Sequence, residues 1–186
     1  MFTLKQKTYL LELARQTLVH YFETGDILSV DISQVDSALT QKLGTFVTLT
    51  KNGELRGCIG HNEPMQAIYK DVIDNALSAS FKDNRFEVLQ ESELEDLHIE
   101  ISILTEPKKI EYSLVKNLLN SLHSSEDGVL IKKGHNSATY LPQVWEELSN
   151  KEEFLTSLCL KAGLRPDVWK TGDLEVYTYQ AEVFFE

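Results

Sequence analysis

The dipeptide Asn52-Gly53 sits between two strand-like runs, Phe46-Val47-Thr48-Leu49-Thr50 and Leu55-Arg56-Gly57-Cys58-Ile59-Gly60, and it constrains the fold more than any other stretch of the chain. A two-residue turn of type I′ needs positive φ at both central positions, which asparagine and glycine tolerate. A β-hairpin follows, and with it a register: Lys51 opposite Glu54, Leu49 opposite Arg56, Val47 opposite Cys58 and Phe46 opposite Ile59. Alternation then sets Arg56 and Cys58 on one face of the sheet, which Val47 and Leu49 also line. A guanidinium beside a thiol favours the reactive thiolate. Gly57 and Gly60 remove side chains where a ligand or another backbone can approach closely.

The rest of the chain surrounds this hairpin with helices and further strands. Thr3 followed by Gln6 signals a capping box, and Leu4, Leu11, Ala14, Leu18 and Phe22 predict a helix over about 4–22 that Gly25 ends. Ser37 to Leu43 is expected to form a short helix. Pro64 suits a first helical position, with Met65, Ile68, Tyr69, Val72, Ala76 and Ala79 on one face and an end near Phe81. Lys82 to Leu89 reads as a loop, and Ser92 with Glu95 as the cap of a short turn. His98 to Ile103 alternates as a half-buried strand does. Ser113 caps a helix through Leu122, Asp127-Gly128 turns into the strand Val129–Ile131, and Gly134 to Ser137 turns into Ala138–Leu141. Asn150 caps a helix that Gly163 stops, and Leu174 to Phe185 is expected as one last strand. Hairpin pairs mixed with scattered helices define an α+β class rather than a doubly wound sheet.

At 186 residues the chain is one domain, or one domain with two lobes, and it is long enough to bury a core. No apolar run approaches the roughly 20 residues that span a bilayer, and Met1 to Lys7 lacks the apolar core of a signal peptide. The cytoplasm is the expected compartment, with no membrane partner. Cys58 and Cys159 make neither a disulfide framework nor a zinc ribbon. The net charge of −11 opposes non-specific nucleic-acid binding, which rests on basic side chains. No Lys or Arg occurs between Arg85 and Lys108, and Lys132-Lys133-Gly134-His135 reads as a solvated hairpin tip. No Walker-type loop, GxSxG elbow or HExxH motif is present. The histidines carry no ligand spacing, so neither a metal nor a cofactor is expected.

Four strings in order carry a family resemblance: Leu55-Arg56-Gly57-Cys58-Ile59-Gly60 after Phe46-Val47-Thr48-Leu49, then Phe81-Lys82-Asp83-Asn84-Arg85-Phe86, Leu141-Pro142-Gln143-Val144, and Lys161-Ala162-Gly163-Leu164. Together they resemble the AMMECR domain family over nearly the whole chain, from about Gly44 to the C-terminus. The resemblance implies a single domain over 1–186, built as two packed lobes with a groove between them. It gives no established reaction, and it implies two protein partners, a Memo-like protein and a radical S-adenosylmethionine enzyme. His61 departs from the family pattern, as do Leu43-Gly44 before the first strand and Glu87-Val88, where a proline is common.

Two readings of these residues stand side by side. In one, a small anionic ligand binds at the groove: Cys58 is nucleophile or thiol ligand, Arg56 tunes it, Arg85 anchors the ligand, and Gly57, Gly60, Asp83 and Gln143 complete the site. Paired guanidiniums suit a carboxylate or phosphate. In the other, the chain is a non-catalytic interaction module: Cys58 is a small buried hydrophobe, Asp83 and Arg85 form an ion pair that pins the loop, and Gln143 serves turn structure. His61 lies near Cys58 in sequence but three residues on along a strand. Cys159 reads as packing, and Glu146, Glu147, Glu152 and Glu153 as a solvated acidic face. Nucleic-acid contact is a third idea that the charge opposes.

Overall fold

The computed structural model describes residues 1–186 as an α+β protein of two compact units, Met1–Leu104 with Glu182–Glu186, and Thr105–Ala181. The first unit holds α1 (Leu4–Thr24), β1 (Thr45–Lys51), β2 (Glu54–His61), α2 (Ile68–Phe81) and β3 (Leu97–Leu104). The second holds the two-residue β4 (Lys108–Lys109), α3 (Val115–Ser121), β5 (Gly128–Lys133), β6 (Asn136–Tyr140), α4 (Lys151–Lys161) and β7 (Glu175–Tyr179). The last strand, β8 (Ala181–Phe185), joins the first unit's sheet, in the order β2-β1-β3-β8; the other sheet runs β4-β7-β5-β6. No helix is long and apolar enough to cross a membrane.

In the first unit both helices pack on one face of the sheet. That face presents Val47, Leu49, Ile99 and Ile101, all fully buried against Leu10, Ala14 and Leu18 of α1 and Val72 and Ala76 of α2. The opposite face carries Phe46, Thr48 and Thr50 on β1, beside Ser102, Glu100 and His98 on β3. Thr3 caps α1 with the expected reciprocal box. Pro64 does not begin α2: Ala67 is extended and forms a bridge with Lys42, while Ile68 donates its N–H to the Gln41 carbonyl, so the helix starts four residues later. Ser37 to Leu43 yields only one 3-10 turn, Ser37–Leu39.

The second unit packs α3 and α4 around Val129, Ile131 and Val176, with Trp145 stacked on Phe154 at 3.6 Å and its Nε1 donating to the Asp127 carbonyl at 2.7 Å. Asn150 caps α4 as expected, and Cys159 is fully buried in this core. The single last strand expected from Leu174 to Phe185 is two strands, divided at Gln180 and belonging to different sheets. No glycine or proline marks the break at Gln180.

Candidate functional site

The turn is as the sequence dictates. Asn52 and Gly53 take φ of 53° and 82°, and Lys51 faces Glu54. Beyond Thr50–Leu55 the register departs from expectation. A β-bulge inserts Arg56, so Leu49 faces Gly57, Thr48 faces Cys58, Val47 faces Ile59 and Phe46 faces Gly60. An extra residue on one strand moves every later side chain to the opposite face. Cys58 therefore stands on the face of Thr48, away from Val47 and Leu49. Its thiol lies 3.3 Å from the Thr48 hydroxyl, and the residue is half-buried.

The bulge re-aims Arg56. Its Nε and Nη2 donate to the two carboxylate oxygens of Glu93 at 3.1 and 2.9 Å, and its Nη1 to the Glu87 carbonyl at 2.7 Å. Every nitrogen of this guanidinium is occupied, so it does not serve as the cation that tunes Cys58. Glu93 also accepts from Lys51 and from the Gln90 N–H, the latter closing a capping box at the 3-10 turn Glu91–Asp96. The cap expected at Ser92 and Glu95 thus falls two residues earlier. The Arg56 guanidinium above all, with the Gln90 amide and Lys51, lowers the Glu93 carboxyl from 4.5 to about 2. Arg56→Gln is expected to destabilise the first unit while leaving the rate of Cys58 alkylation unchanged, read by urea unfolding and mass spectrometry.

Asp83 and Arg85 do come to Cys58. β2 is an edge strand, and the Cys58 N–H donates to Asp83 Oδ2 at 2.9 Å while its carbonyl accepts from Arg85 Nη2 at 3.3 Å. The pair replaces the hydrogen bonds a neighbouring strand would make, which is one way to blunt an exposed edge. Asp83 also accepts from Arg85 Nε and Nη2 at 2.9 and 2.7 Å, and its side chain is 4% exposed. The Arg85 guanidinium, with smaller help from the Cys58 and Arg85 amides, holds the Asp83 carboxyl far below the usual range. Arg85 itself is 57% exposed, lies over the Phe86 ring, and keeps Nη1 free of hydrogen bonds within the chain.

The two glycines serve the fold. A methyl at Gly57 would overlap the Ala79 carbonyl of α2, and one at Gly60 would overlap the Phe46 ring and the Thr45 carbonyl. The space each leaves is filled from within the protein, which corrects the reading of either as a ligand contact. Gln143 belongs to the second unit, exposed on the 3-10 turn Pro142–Glu146. His61 faces the other way from Cys58: it pairs with buried Thr45, and its Nδ1 lies 2.7 Å from Asp71, whose side chain is 1% exposed. It is no base for the thiol.

Two residues near Cys58 escaped sequence reasoning. Thr48 could be found only by knowing of the bulge. Glu100 continues the row Cys58–Thr48–Glu100 across three strands. Its carboxyl makes no hydrogen bond, and burial pushes it up. Two strand spacings put it about 10 Å from Cys58 between Cα atoms, with Thr48 in the middle.

These features define an α+β protein in which a hairpin is locked at its edge by an Asp-x-Arg pair, beside one half-buried thiol. The chain belongs to the AMMECR1 family, whose model matches residues 11–184. It is similar to protein MK0488 of Methanopyrus kandleri, 39% identical over 192 aligned residues that cover 99% of this chain and 90% of the relative. It is similar also to protein MJ0810 of Methanocaldococcus jannaschii, 35% identical with 99% and 92% covered. The crystal structure of the uncharacterized protein PH0010 from Pyrococcus horikoshii matches with a TM-score of 0.88 at 34% identity, covering 98% of this chain and 92% of that one.

Proposed function

We propose that this protein binds a small anion at the free edge of Arg85, beside the Cys58 thiol. The observation that supports this reading is the state of that guanidinium. Asp83 fixes its plane, more than half of its side chain is exposed, and Nη1 has no partner in the chain. A pre-oriented guanidinium loses less freedom on binding a carboxylate or phosphate than a mobile one. The site is narrower than the motif: Arg56, Gly57, Gly60 and Asp83 build the platform, and Arg85 and Cys58 are what it offers. Gln143, in the second unit, is not part of this site. The same proposal makes the protein one component of a set with a Memo-like protein and a radical S-adenosylmethionine enzyme, as the family resemblance implies; co-purification of the three tests that part.

The experiment is alkylation of Cys58 by iodoacetamide in a Cys159→Ala background. Cys58 is expected to react in the native protein, inorganic phosphate to slow the reaction, and Arg85→Gln to abolish the slowing. Loss of protection by phosphate, or protection that survives Arg85→Gln, would overturn the reading. In the protein with both cysteines, Cys159 should react only on unfolding, because it is fully buried and burial pushes its thiol up.

The second reading, a non-catalytic interaction module, is favoured by one observation: four of the motif's residues are engaged internally. It predicts a Cys58 inert until unfolding.

A further inference from the structure

A cavity of about 550 Å³ lies in the first unit, away from Cys58, where the strap Ile27–Ile32 crosses α2. Ile27, Leu28, Val30, Ile32 and Ile73 give it an apolar wall beside its polar lining, and Ile27 and Ile32 keep 59% and 61% of their surface exposed. Small-molecule sites have this size and combine an apolar wall with placed polar groups.

Three of the polar groups, Tyr69, Lys70 and Asp74, are on α2; Ser29 is on the strap and Gln66 precedes the helix. Tyr69 lines the cavity and is 4% exposed, yet its hydroxyl takes no hydrogen bond from any group of the chain. That hydroxyl is not sealed from solvent, so it is available to a ligand in the cavity. Lys70, next to it, is exposed and forms no ion pair, with its ammonium 6.0 Å from the centre of the Tyr69 ring. Asp74, one turn on, is already engaged: Gln66 Nε2 donates to it at 2.6 Å and to Asp71 at 3.2 Å. One uncommitted cation and one uncommitted hydroxyl therefore line the same cavity.

The strap can adapt to what enters. Ile27 to Val30 make no backbone–backbone hydrogen bond, and the segment is held by the packing of Leu28 and Val30 on the core.

We infer that this cavity binds a small carboxylate with an apolar tail, its head between the Tyr69 hydroxyl and the Lys70 ammonium and its tail under the strap. In a chain of net charge −11 an anion needs a local cation, and Lys70 supplies it. Asp74 opposes the same head, so its removal should strengthen binding.

The test is a titration of the full chain with sodium octanoate, followed by backbone amide NMR shifts, against octanol and octylamine as probes with the same tail. Octanoate should shift amides of Ile27–Ile32 and Tyr69–Asp74 and bind about tenfold more tightly than octanol, the worth of a charge-assisted hydrogen bond. Tyr69→Phe, which keeps the packing and breaks no bond in the chain, and Lys70→Gln should each weaken octanoate about tenfold. Asp74→Asn should tighten it. Equal binding of octanol and octanoate, preference for octylamine, or shifts confined to residues outside the cavity would overturn the inference.

Discussion

Gly57→Ala is expected to cost the first unit about 3 kcal/mol, the upper part of the usual range for an overpacked core. Gly57 sits on the helix-facing side of β2, opposite Leu49, at the point where α2 crosses the strand. Its neighbour there is the Ala79 carbonyl oxygen, with the carbonyl carbon 3.1 Å from where the new methyl would sit. A flexible side chain could turn away; a helical backbone cannot. Relief would need α2 to lift off the sheet, and α2 carries Val72 and Ala76, both fully buried. Against a total of roughly 5–15 kcal/mol for a domain, such a loss is large.

Gly53→Ala supplies the contrast. At φ of 82° with nothing within 4 Å of the added carbon, it meets backbone strain alone, worth about 1 kcal/mol. Urea unfolding followed by far-UV circular dichroism measures both. Trp145 and Trp169 lie in the second unit, so tryptophan fluorescence reports that unit and not the site of the change. If Gly57→Ala lowered stability no more than Gly53→Ala, the close crossing of α2 over β2 would be wrong.

This contrast also marks what the amino-acid order reveals and what it hides. Asn52-Gly53 announces its turn because two adjacent positive φ values are a local demand that few residues meet. Thr3 with Gln6, and Asn150 before α4, are legible for the same reason: a cap and its partner lie within three residues. The bulge at Arg56 is not local in that sense. With glycines at 57 and 60, only Leu55, Cys58 and Ile59 carry an apolar pattern along β2, and Leu55 is 43% exposed while Ile59 packs on the core. Either register fits so sparse a pattern. What selects one is Glu93, 37 residues further on, which gives the displaced Arg56 a carboxylate. The division of the last strand at Gln180 is hidden likewise, since which sheet each half joins is set by strand order and not by local sequence. The pairing of Asp83 with Arg85 was legible as chemistry, but its service to the edge of β2 at Cys58 depends on strand order.

Glu93→Gln is expected to cost about 2 kcal/mol at pH 7, and the cost should vanish in acid. The side chains of Glu93 and Arg56 are 14% and 15% exposed, so removing the carboxylate leaves a nearly buried guanidinium without its counter-charge. Glutamine keeps an oxygen for the Gln90 N–H, so the cap survives and the charge is what changes. The sign follows from the direction of the shift. The carboxyl falls from 4.5 to about 2 on folding, so its contribution is fully present above pH 4.5 and is lost as pH drops toward 2. Asp83 is shifted the same way but is present in both proteins and cancels in the comparison. Stability curves of the two proteins should therefore lie apart at pH 7 and converge near pH 2. A gap that stayed constant with pH would mean that shape, not charge, holds the bulge. Arg56→Gln combined with Glu93→Gln should cost less than the sum of the two, by about 1–2 kcal/mol, because each single change strands the other's charge. That coupling bears on function: Arg56, with every guanidinium nitrogen engaged, has no donor left for a ligand, and Arg85, 57% exposed with Nη1 open, remains the cation at the edge of β2.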